Sequence, residues 1–432
     1  MKNIDLAKIK KVHFVGIGGI GVSAIARMMI GEGKVVSGSD SAKSLITKEL
    51  EKLGAKIFIG HNAKNISSDI DLLVYTPAVN EENPELKKAA ELNIPSFSYP
   101  EMLGLISKDK YTIAVSGAHG KTTTTAMIGQ IIMDAKFDPT IIVGSLLQDS
   151  KSNFVAGKGN HFVVEACEYK KSFLSINPKI IVITNIDNDH LDYYGNLENI
   201  KKAFGEFASK LGENGFLVCD PSDDNLKEII KKTKAKIIDY TKVEADFNLK
   251  IPGQHNINNA KSAMAVARIL GIDDKKSLTS LNNFFGTWRR FEHKGKTKNG
   301  VLVYDDYGHH PTEIMATLSG ARELHPKSKI IVVFQPHLYS RTKRHLVEFG
   351  KSFKNADIVV VAPIYAAREK DDSGINSQML TEEIKKNGVT AFYFKNFSEI
   401  ENYLITNSDR DRVIITMGAG DIYKISNNLI VS

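Results

Sequence analysis

The sequence predicts an α/β protein of about three domains, and three observations predict it. The chain has 432 residues, close to three times the roughly 150 of a typical domain. Short β-rich runs alternate with stretches of helical period from end to end, the pattern of parallel sheets covered by helices. Two of the strand-like runs lead directly into glycine-rich turns that open helices, which is how such sheets build anion sites. Composition agrees: 42% hydrophobic and 25% charged residues describe a globular chain and exclude a disordered or fibrous one.

The charge balance, 57 Lys plus Arg against 50 Asp plus Glu, leaves +7 and suits anionic ligands. No basic run is interleaved with aromatics, so nucleic acid is not an expected partner. Cys167 and Cys219 are the only cysteines, too few for a disulfide framework and without metal-ligand spacing, which points to the cytoplasm. Lys10 and Lys11 before the apolar run 12–26 imitate a secretion signal, but four glycines inside that run argue against one. No stretch approaches the ~20 apolar residues that span a bilayer, so no membrane association is expected.

Taken in order, the first strand is Val12 to Val15, followed by Gly16-Ile17-Gly18-Gly19-Ile20-Gly21 and a helix with Val22, Ile25 and Met29 on one face. Glycines let the backbone approach a diphosphate, whose charge the free amides of the helix N-terminus stabilise. Asp40, after a second strand-like run, has the spacing of a carboxylate that binds a ribose hydroxyl. These residues define a nucleotide-diphosphate site without saying which nucleotide.

A polar segment, Ser107 to Lys110, marks the first domain boundary and precedes the strand Tyr111 to Val115. Ser116, Gly117, Ala118, His119, Gly120, Lys121, Thr122 and Thr123 follow, then a helix with Met127, Ile128, Ile131 and Ile132 on its apolar face. Lys121 can neutralise β- and γ-phosphate oxygens, and the Thr122 hydroxyl is placed to hold magnesium. Val115 stands where the usual phosphate loop has its first glycine, so this is a shorter Gly-x-x-Gly-Lys-Thr form. Strands Phe162 to Val164 and Ile180 to Ile183 end near Glu165 and His190. Because parallel sheets gather ligands at their carboxyl ends, Glu165 and His190 are expected to meet the phosphates and hold a further magnesium ion.

The second boundary lies at the basic, glycine-containing segment 291–300, before the strand Val301 to Tyr304. Asp305, Asp306, Tyr307, Gly308, His309, His310, Pro311 and Thr312 come next, with Pro311 suited to a first helical turn. Strands Ile330 to Phe334, Ile358 to Val361 and Val413 to Thr416 end near His337 with Arg341, Tyr365 with Arg368, and Gly418 to Asp421. Arginines in such loops suit carboxylate or phosphate through paired hydrogen bonds.

Together these stretches resemble the Mur ligase family. The matches are HFVGIGGIGVSAIA from His13, VSGSD ending at Asp40, GAHGKTTTT from Gly117, NIDNDHLDYYG from Asn185 and GQHNINNA from Gly253. They continue with WRRFE from Trp288, DDYGHHPTE from Asp305, FQPHLYSRT from Phe334, YAAREK from Tyr365 and TMGAGD from Thr416. The resemblance implies an N-terminal Rossmann-like domain (1–107) for a UDP sugar, a central P-loop ATPase-like parallel sheet (108–292) for ATP and magnesium, and a C-terminal Rossmann-like domain (293–432) that closes over them with the amino acid. It implies a ligase of peptidoglycan precursor synthesis that joins L-alanine to the carboxylate of UDP-N-acetylmuramate, with ATP as co-substrate and two magnesium ions, working as a monomer or homodimer.

By the same resemblance, Gly16, Gly18, Gly19, Gly21, Asp40 and Thr76 bind the UDP sugar, and Thr122, Glu165 and His190 bind metal. Asn256, Asn259, Arg290 and Asp305 or Asp306 join the phosphate loop around ATP. Tyr307, His309, His337, Arg341 and Arg368 surround the alanine or the muramoyl carboxylate. The chemistry needs a carboxylate activated as an acyl phosphate, charge stabilisation by Lys121, and a base for the incoming amine, for which His309 is placed.

The chain departs from the family pattern in three places. Glu165-Ala166-Cys167-Glu168-Tyr169-Lys170-Lys171 replaces an EADESDG-like stretch, Leu338 replaces an expected arginine, and the segment from Tyr240 to Gly253 is short. A tripeptide-recycling ligase acting on the same UDP sugar is the alternative within the class. A nicotinamide-dependent oxidoreductase is the distant one, and it has no use for Lys121 and Thr122. A non-catalytic nucleotide-binding regulator is a third.

Overall fold

Three sheets account for the strand-like runs of the sequence. The computed structural model describes residues 4–148, 151–367, 369–371, 374–407 and 411–431; Arg368 lies outside them. The first sheet holds β1 (Lys11–Val15), β2 (Val35–Asp40), β3 (Lys56–Ile59), β4 (Leu72–Tyr75) and β5 (Ser96–Ser98) in the order β3-β2-β1-β4-β5. All its pairings are parallel. Phe14 and Val12 pack with Val22, Ile25 and Met29 of the helix Ile20–Gly31, while Val15 packs on the opposite face with Leu73 and Ala89. Burial on both faces explains why β1 reads as a continuous apolar run rather than an alternating one.

The central sheet holds β6 (Tyr111–Ser116), β7 (Thr140–Ile142), β8 (Phe154–Val155), β9 (His161–Glu165), β10 (Ile180–Ile183), β11 (Phe216–Cys219) and β12 (Lys236–Asp239). Their order is β12-β11-β10-β6-β9-β7-β8, parallel except for the β7–β8 pair at one edge. The sheet is therefore mixed, where the sequence predicts a parallel one; β8 follows β7 after a short excursion and returns beside it as a hairpin. The helix Lys121–Asp134 buries Met127, Ile128, Ile131 and Ile132 as its period requires. First and central sheets belong to one compact unit, the chain up to Phe247 with Asn259–Leu281, and share a core cluster. Asn153 donates to the Ile20 carbonyl and, over 3.0 Å, to the Ser23 hydroxyl, so it grips the helix that carries the first glycine loop.

The second unit, Asn248–Asn258 with the chain from Asn282 onward, is built on β13 (Glu292–Lys296), β14 (Leu302–Asp306), β15 (Lys329–Phe334), β16 (Ile358–Val361), β17 (Thr390–Tyr393) and β18 (Arg412–Met417). Their order is β13-β14-β18-β15-β16-β17, with β13 antiparallel on β14 at the edge. Asp305 and Asp306 are the last residues of β14 and not part of the loop after it. Both are buried. Arg289 donates from Nε to Asp305 Oδ2 at 2.7 Å, and from its two Nη atoms to the carbonyls of Gly420 (2.8 Å) and Gly418 (2.5 Å). Burial pushes the Asp305 carboxyl up to about 6 against the opposing pull of Arg289 and Thr416.

Arg289→Ala leaves a buried carboxylate and two carbonyls unpaired. The expected loss is about 3 kcal/mol, read as a lower urea midpoint for the transition that exposes Trp288. An unchanged midpoint would show that the ion pair is dispensable. Among the described residues, no helix is long and apolar enough to cross a membrane.

Candidate active site

The first loop turns at Gly16, whose φ of +76° is left-handed and whose side would collide with Thr76 if it carried a Cβ. The amides of Gly16 and Ile17 donate to the Ser39 carbonyl at 2.8 and 3.0 Å, and that of Gly18 donates to Asp40 Oδ2 at 2.8 Å. Asp40 thus braces the loop from inside, a use its ribose-binding spacing does not foretell. Gly19 caps the helix Ile20–Gly31 without a side chain, leaving the first-turn amides turned toward an incoming anion. Gly19, Gly21 and Thr76 line a cavity of about 350 Å³, and so do Tyr99 and, from the central domain, Gly144, Glu165, Cys167 and Ser172.

The second loop leaves β6 at Ser116 and enters its helix through Gly120, which has φ +85°. A Cβ there would lie 2.6 Å from Asn259 Oδ1, which accepts the Thr124 hydroxyl at 3.1 Å. The residues after β10 brace the loop. The Ala118 and His119 amides donate to the carbonyl and Oδ1 of Asn185, at 3.1 and 3.0 Å, and Asn185 Nδ2 returns a bond to the His119 carbonyl at 3.0 Å. His119 Nε2 lies 3.1 Å from Asp187 Oδ2. Lys121 Nζ folds back onto the carbonyls of Gly117 (2.5 Å) and Ala118 (3.0 Å) and onto Glu168 Oε1 (3.0 Å). Burial alone would lower its pKa, but the carboxylates of Glu168 and Glu165 raise it above the usual lysine value, so it stays cationic.

Glu168, Asp189 and His190 bring one ligand atom each within 4.8 Å of one another. His190 Nε2 is 3.6 Å from Glu168 Oε1 and 3.7 Å from Asp189 Oδ2. Glu168 Oε2 is buried and has no hydrogen-bond partner, an orphan that a cation would satisfy. The turn that aims Glu168 inward is strained: Lys170 and Lys171 both have positive φ, as does His190. Tyr194 Oη clamps the Glu168 carbonyl at 2.5 Å, and the Tyr169 ring lies 4.8 Å from that of His190.

Glu165, the carboxylate expected at the metal, instead accepts the Gly144 amide at 2.7 Å and is not among these three residues. It faces the cavity of the first loop. Thr122 and Thr123 are buried in the first turn of the phosphate-loop helix. Cys167 is exposed as a residue beside the acidic pair, but its sulfur is shielded from water, and this desolvation first, with the Glu168 charge second, pushes the thiol up to about 12. It is therefore a neutral thiol near pH 7.

In the second unit, Tyr307, His309, His337 and Arg341, four of the five residues expected around the amino acid, lie near one another. His309 lies 5.3 Å from the Tyr307 ring and 5.7 Å from that of His337, which stacks on Tyr365 at 5.8 Å. His309 Nδ1 is 3.0 Å from the Tyr307 carbonyl, which can only accept, so Nδ1 carries the proton and the neutral ring has its lone pair on Nε2. Arg341 donates to His337 Nδ1 at 3.2 Å, which assigns the opposite tautomer to that ring. Arg290 lies over the Tyr307 ring at 5.2 Å and near Glu313.

Asp305 and Asp306, expected at ATP, are committed elsewhere. Asp305 is held by Arg289 and Thr416, and Asp306 accepts the amides of Phe291 and Gly308 at 2.8 and 2.7 Å. Both lie at a strand end too buried to present an oxygen outward. Asn256 donates to the Pro252 carbonyl at 2.7 Å. Sequence reasoning missed Glu168, Asp189, Asn185 and Arg289. The NIDNDH and WRRFE stretches contain three of them, but spacing alone could not choose among neighbouring polar residues.

Comparison with known proteins matches residues 11–111 to the Mur ligase family catalytic domain, 115–246 to the Mur ligase middle domain and 289–420 to the Mur ligase glutamate ligase domain. A UDP-N-acetylmuramate–L-alanine ligase from Caldanaerobacter subterraneus subsp. tengcongensis is 42% identical over 456 aligned positions, covering 99% of this chain and 98% of that protein. One from Clostridium tetani is 44% identical, covering 97% of each. The crystal structure of the UDP-N-acetylmuramate-alanine ligase from Thermotoga maritima superposes with a TM-score of 0.83 at 30% identity over 97% of this chain and 98% of that one. A murein peptide ligase from Psychrobacter arcticus shares the fold with a TM-score of 0.70 at 22% identity, covering 98% of this chain and 100% of that one.

Proposed function

The chain belongs to the Mur ligase family, and from that premise we infer that it is an ATP-dependent ligase that joins L-alanine to the carboxylate of UDP-N-acetylmuramate. The observation carrying this reading is one cavity lined both by the first glycine loop and by the end of β9, where Glu165 and Cys167 lead to the Lys121 site. On this reading an acid held on the first loop is offered to the phosphoryl group held on the second. We divide the roles as 1–107 for the UDP sugar, 108–292 for ATP and 293–432 for the amino acid, all within a cytoplasmic enzyme.

A carboxylate cannot be attacked by an amine directly because its leaving group would be oxide. Transfer of the γ-phosphoryl group makes the acyl phosphate, and attack by the amine then releases phosphate and leaves the amide. Lys121, already cationic and pinned beside the loop carbonyls, neutralises charge on the moving phosphoryl group. Gly120 and the uncapped first turn behind it present amides to the same oxygens.

Glu168, Asp189 and His190, with the Thr122 hydroxyl, would hold magnesium, which when bound neutralises phosphate charge. His309 Nε2 takes the proton from the alanine ammonium or from the attacking amine, and Arg341 pairs with a carboxylate. Placing Glu168 rather than Glu165 at the ion follows from the orphan oxygen.

The assay that tests this supplies ATP, magnesium and UDP-N-acetylmuramate with one amino acid at a time and follows phosphate. Release is expected with L-alanine and not with D-glutamate. Release with the tripeptide L-alanyl-γ-D-glutamyl-diaminopimelate but not with alanine would make the chain a recycling enzyme instead.

A further inference from the structure

Beneath the first loop, remote from the reacting groups, lies a fully buried carboxylate that the ligase chemistry does not use. Glu85 sits in the first turn of the helix Pro84–Glu91 with no solvent exposure. Its Oε2 accepts the Ser39 hydroxyl at 2.5 Å and lies 3.0 Å from His61 Nδ1; its Oε1 accepts Asn65 Nδ2 at 2.7 Å. His13, also fully buried, places Nε2 3.6 Å from Oε1 and Nδ1 2.9 Å from the Ser37 hydroxyl. Burial favours the neutral acid, but the groups around the carboxylate, His13 beside it and hydrogen bonds from Ser39, Asn65 and His61, outweigh it and hold Glu85 at about 2. A lone buried anion of this kind is costly unless its partners are fixed around it.

The partner that matters is Ser39. Its side chain is held by Glu85 and by His61 at 2.9 Å, and its own carbonyl is the acceptor for both the Gly16 and Ile17 amides. The next residue, Asp40, takes the Gly18 amide. Every amide that sets the start of the loop therefore hangs on a two-residue stretch whose side-chain anchor is Glu85. We propose that Glu85 is a positioning residue for the nucleotide-diphosphate site: through Ser39 it holds the glycine loop in the shape that receives the UDP sugar. This rests on the assignment of the first loop to that ligand.

Glu85→Gln keeps the volume but turns one oxygen into an NH₂ donor facing Ser39, His61 or Asn65, all of which already donate. Ser39→Ala removes the same link from the other side while leaving the backbone carbonyl in place. Calorimetric titration with UDP-N-acetylmuramate should show about tenfold weaker binding for each variant, the equivalent of one charge-assisted hydrogen bond. The double variant should be no worse than either single one, because both cut one chain of contacts.

KM for ATP, and kcat at saturating UDP sugar, should stay within about twofold of wild type, a split that general destabilisation would not produce. Wild-type affinity in folded Glu85→Gln and Ser39→Ala, losses that multiply in the double variant, or a parallel fall in kcat would overturn the proposal. Should Glu85→Gln fail to fold, Ser39→Ala decides alone. If the wild-type protein does not bind UDP-N-acetylmuramate, the assignment of the loop falls, and this role with it.

Discussion

Lys121→Ala is expected to abolish nearly all turnover, lowering kcat by about a thousandfold or more, while UDP-N-acetylmuramate binding should stay within about twofold of wild type. The lysine is hydrogen-bonded to the second loop's own carbonyls, at Gly117 and Ala118, and to Glu168. On the proposed reading, removing it deletes charge where the γ-phosphoryl group gathers it, and it leaves the buried Glu168 carboxylate without its ion pair. The first loop keeps its amides, its Ser39 and Asp40 braces and its helix N-terminus. Single-turnover phosphate release and calorimetry on the same preparation separate the two effects. Equal loss of both would mean that the anion sites are wrongly divided.

Metal affinity provides the second large effect. Glu168→Gln should weaken divalent-cation binding by tenfold to about a hundredfold, and turnover with it. Manganese titration followed by electron paramagnetic resonance reads the ion directly, without ATP turnover. Glu165→Gln is the paired control: its carboxylate is engaged by the Gly144 amide, so its metal affinity should fall less. A larger loss for Glu165→Gln would return the ion to the carboxylate that the strand pattern nominates. Glu168→Gln should also lower the Lys121 pKa, because Glu168 is the largest of the charges that raise it.

Both predictions turn on how far a sequence reaches. The two anion loops were legible because everything that makes them is local. A buried strand, a glycine at positive φ and a helix whose first amides lack partners occupy about ten consecutive residues, and Gly16 and Gly120 adopt the turns their type permits. The cluster of Tyr307, His309, His337 and Arg341 was legible for a related reason. Its members end parallel strands, and the carboxyl ends of parallel strands lie side by side.

Neighbour choice was not legible. In Glu165-Ala-Cys-Glu168 two carboxylates compete, and their side chains take different partners: Glu165, the last residue of β9, accepts the Gly144 amide, while Glu168 pairs with Lys121 and has its carbonyl held by Tyr194 from a later helix. In Arg289-Arg290 the buried partner is chosen by Asp305 on β14 and by the carbonyls of Gly418 and Gly420 at the far end of the unit. The ion pair commits the Asp305 carboxylate to Arg289.

What the sequence determined unaided is the sheet-and-loop framework with its two glycine loops opening helices, since periodicity and glycine conformation act over a few residues. Which of two adjacent like residues turns inward was decided only in the folded chain. Burying a charge is tolerable only against partners that folding brings from other elements of the chain.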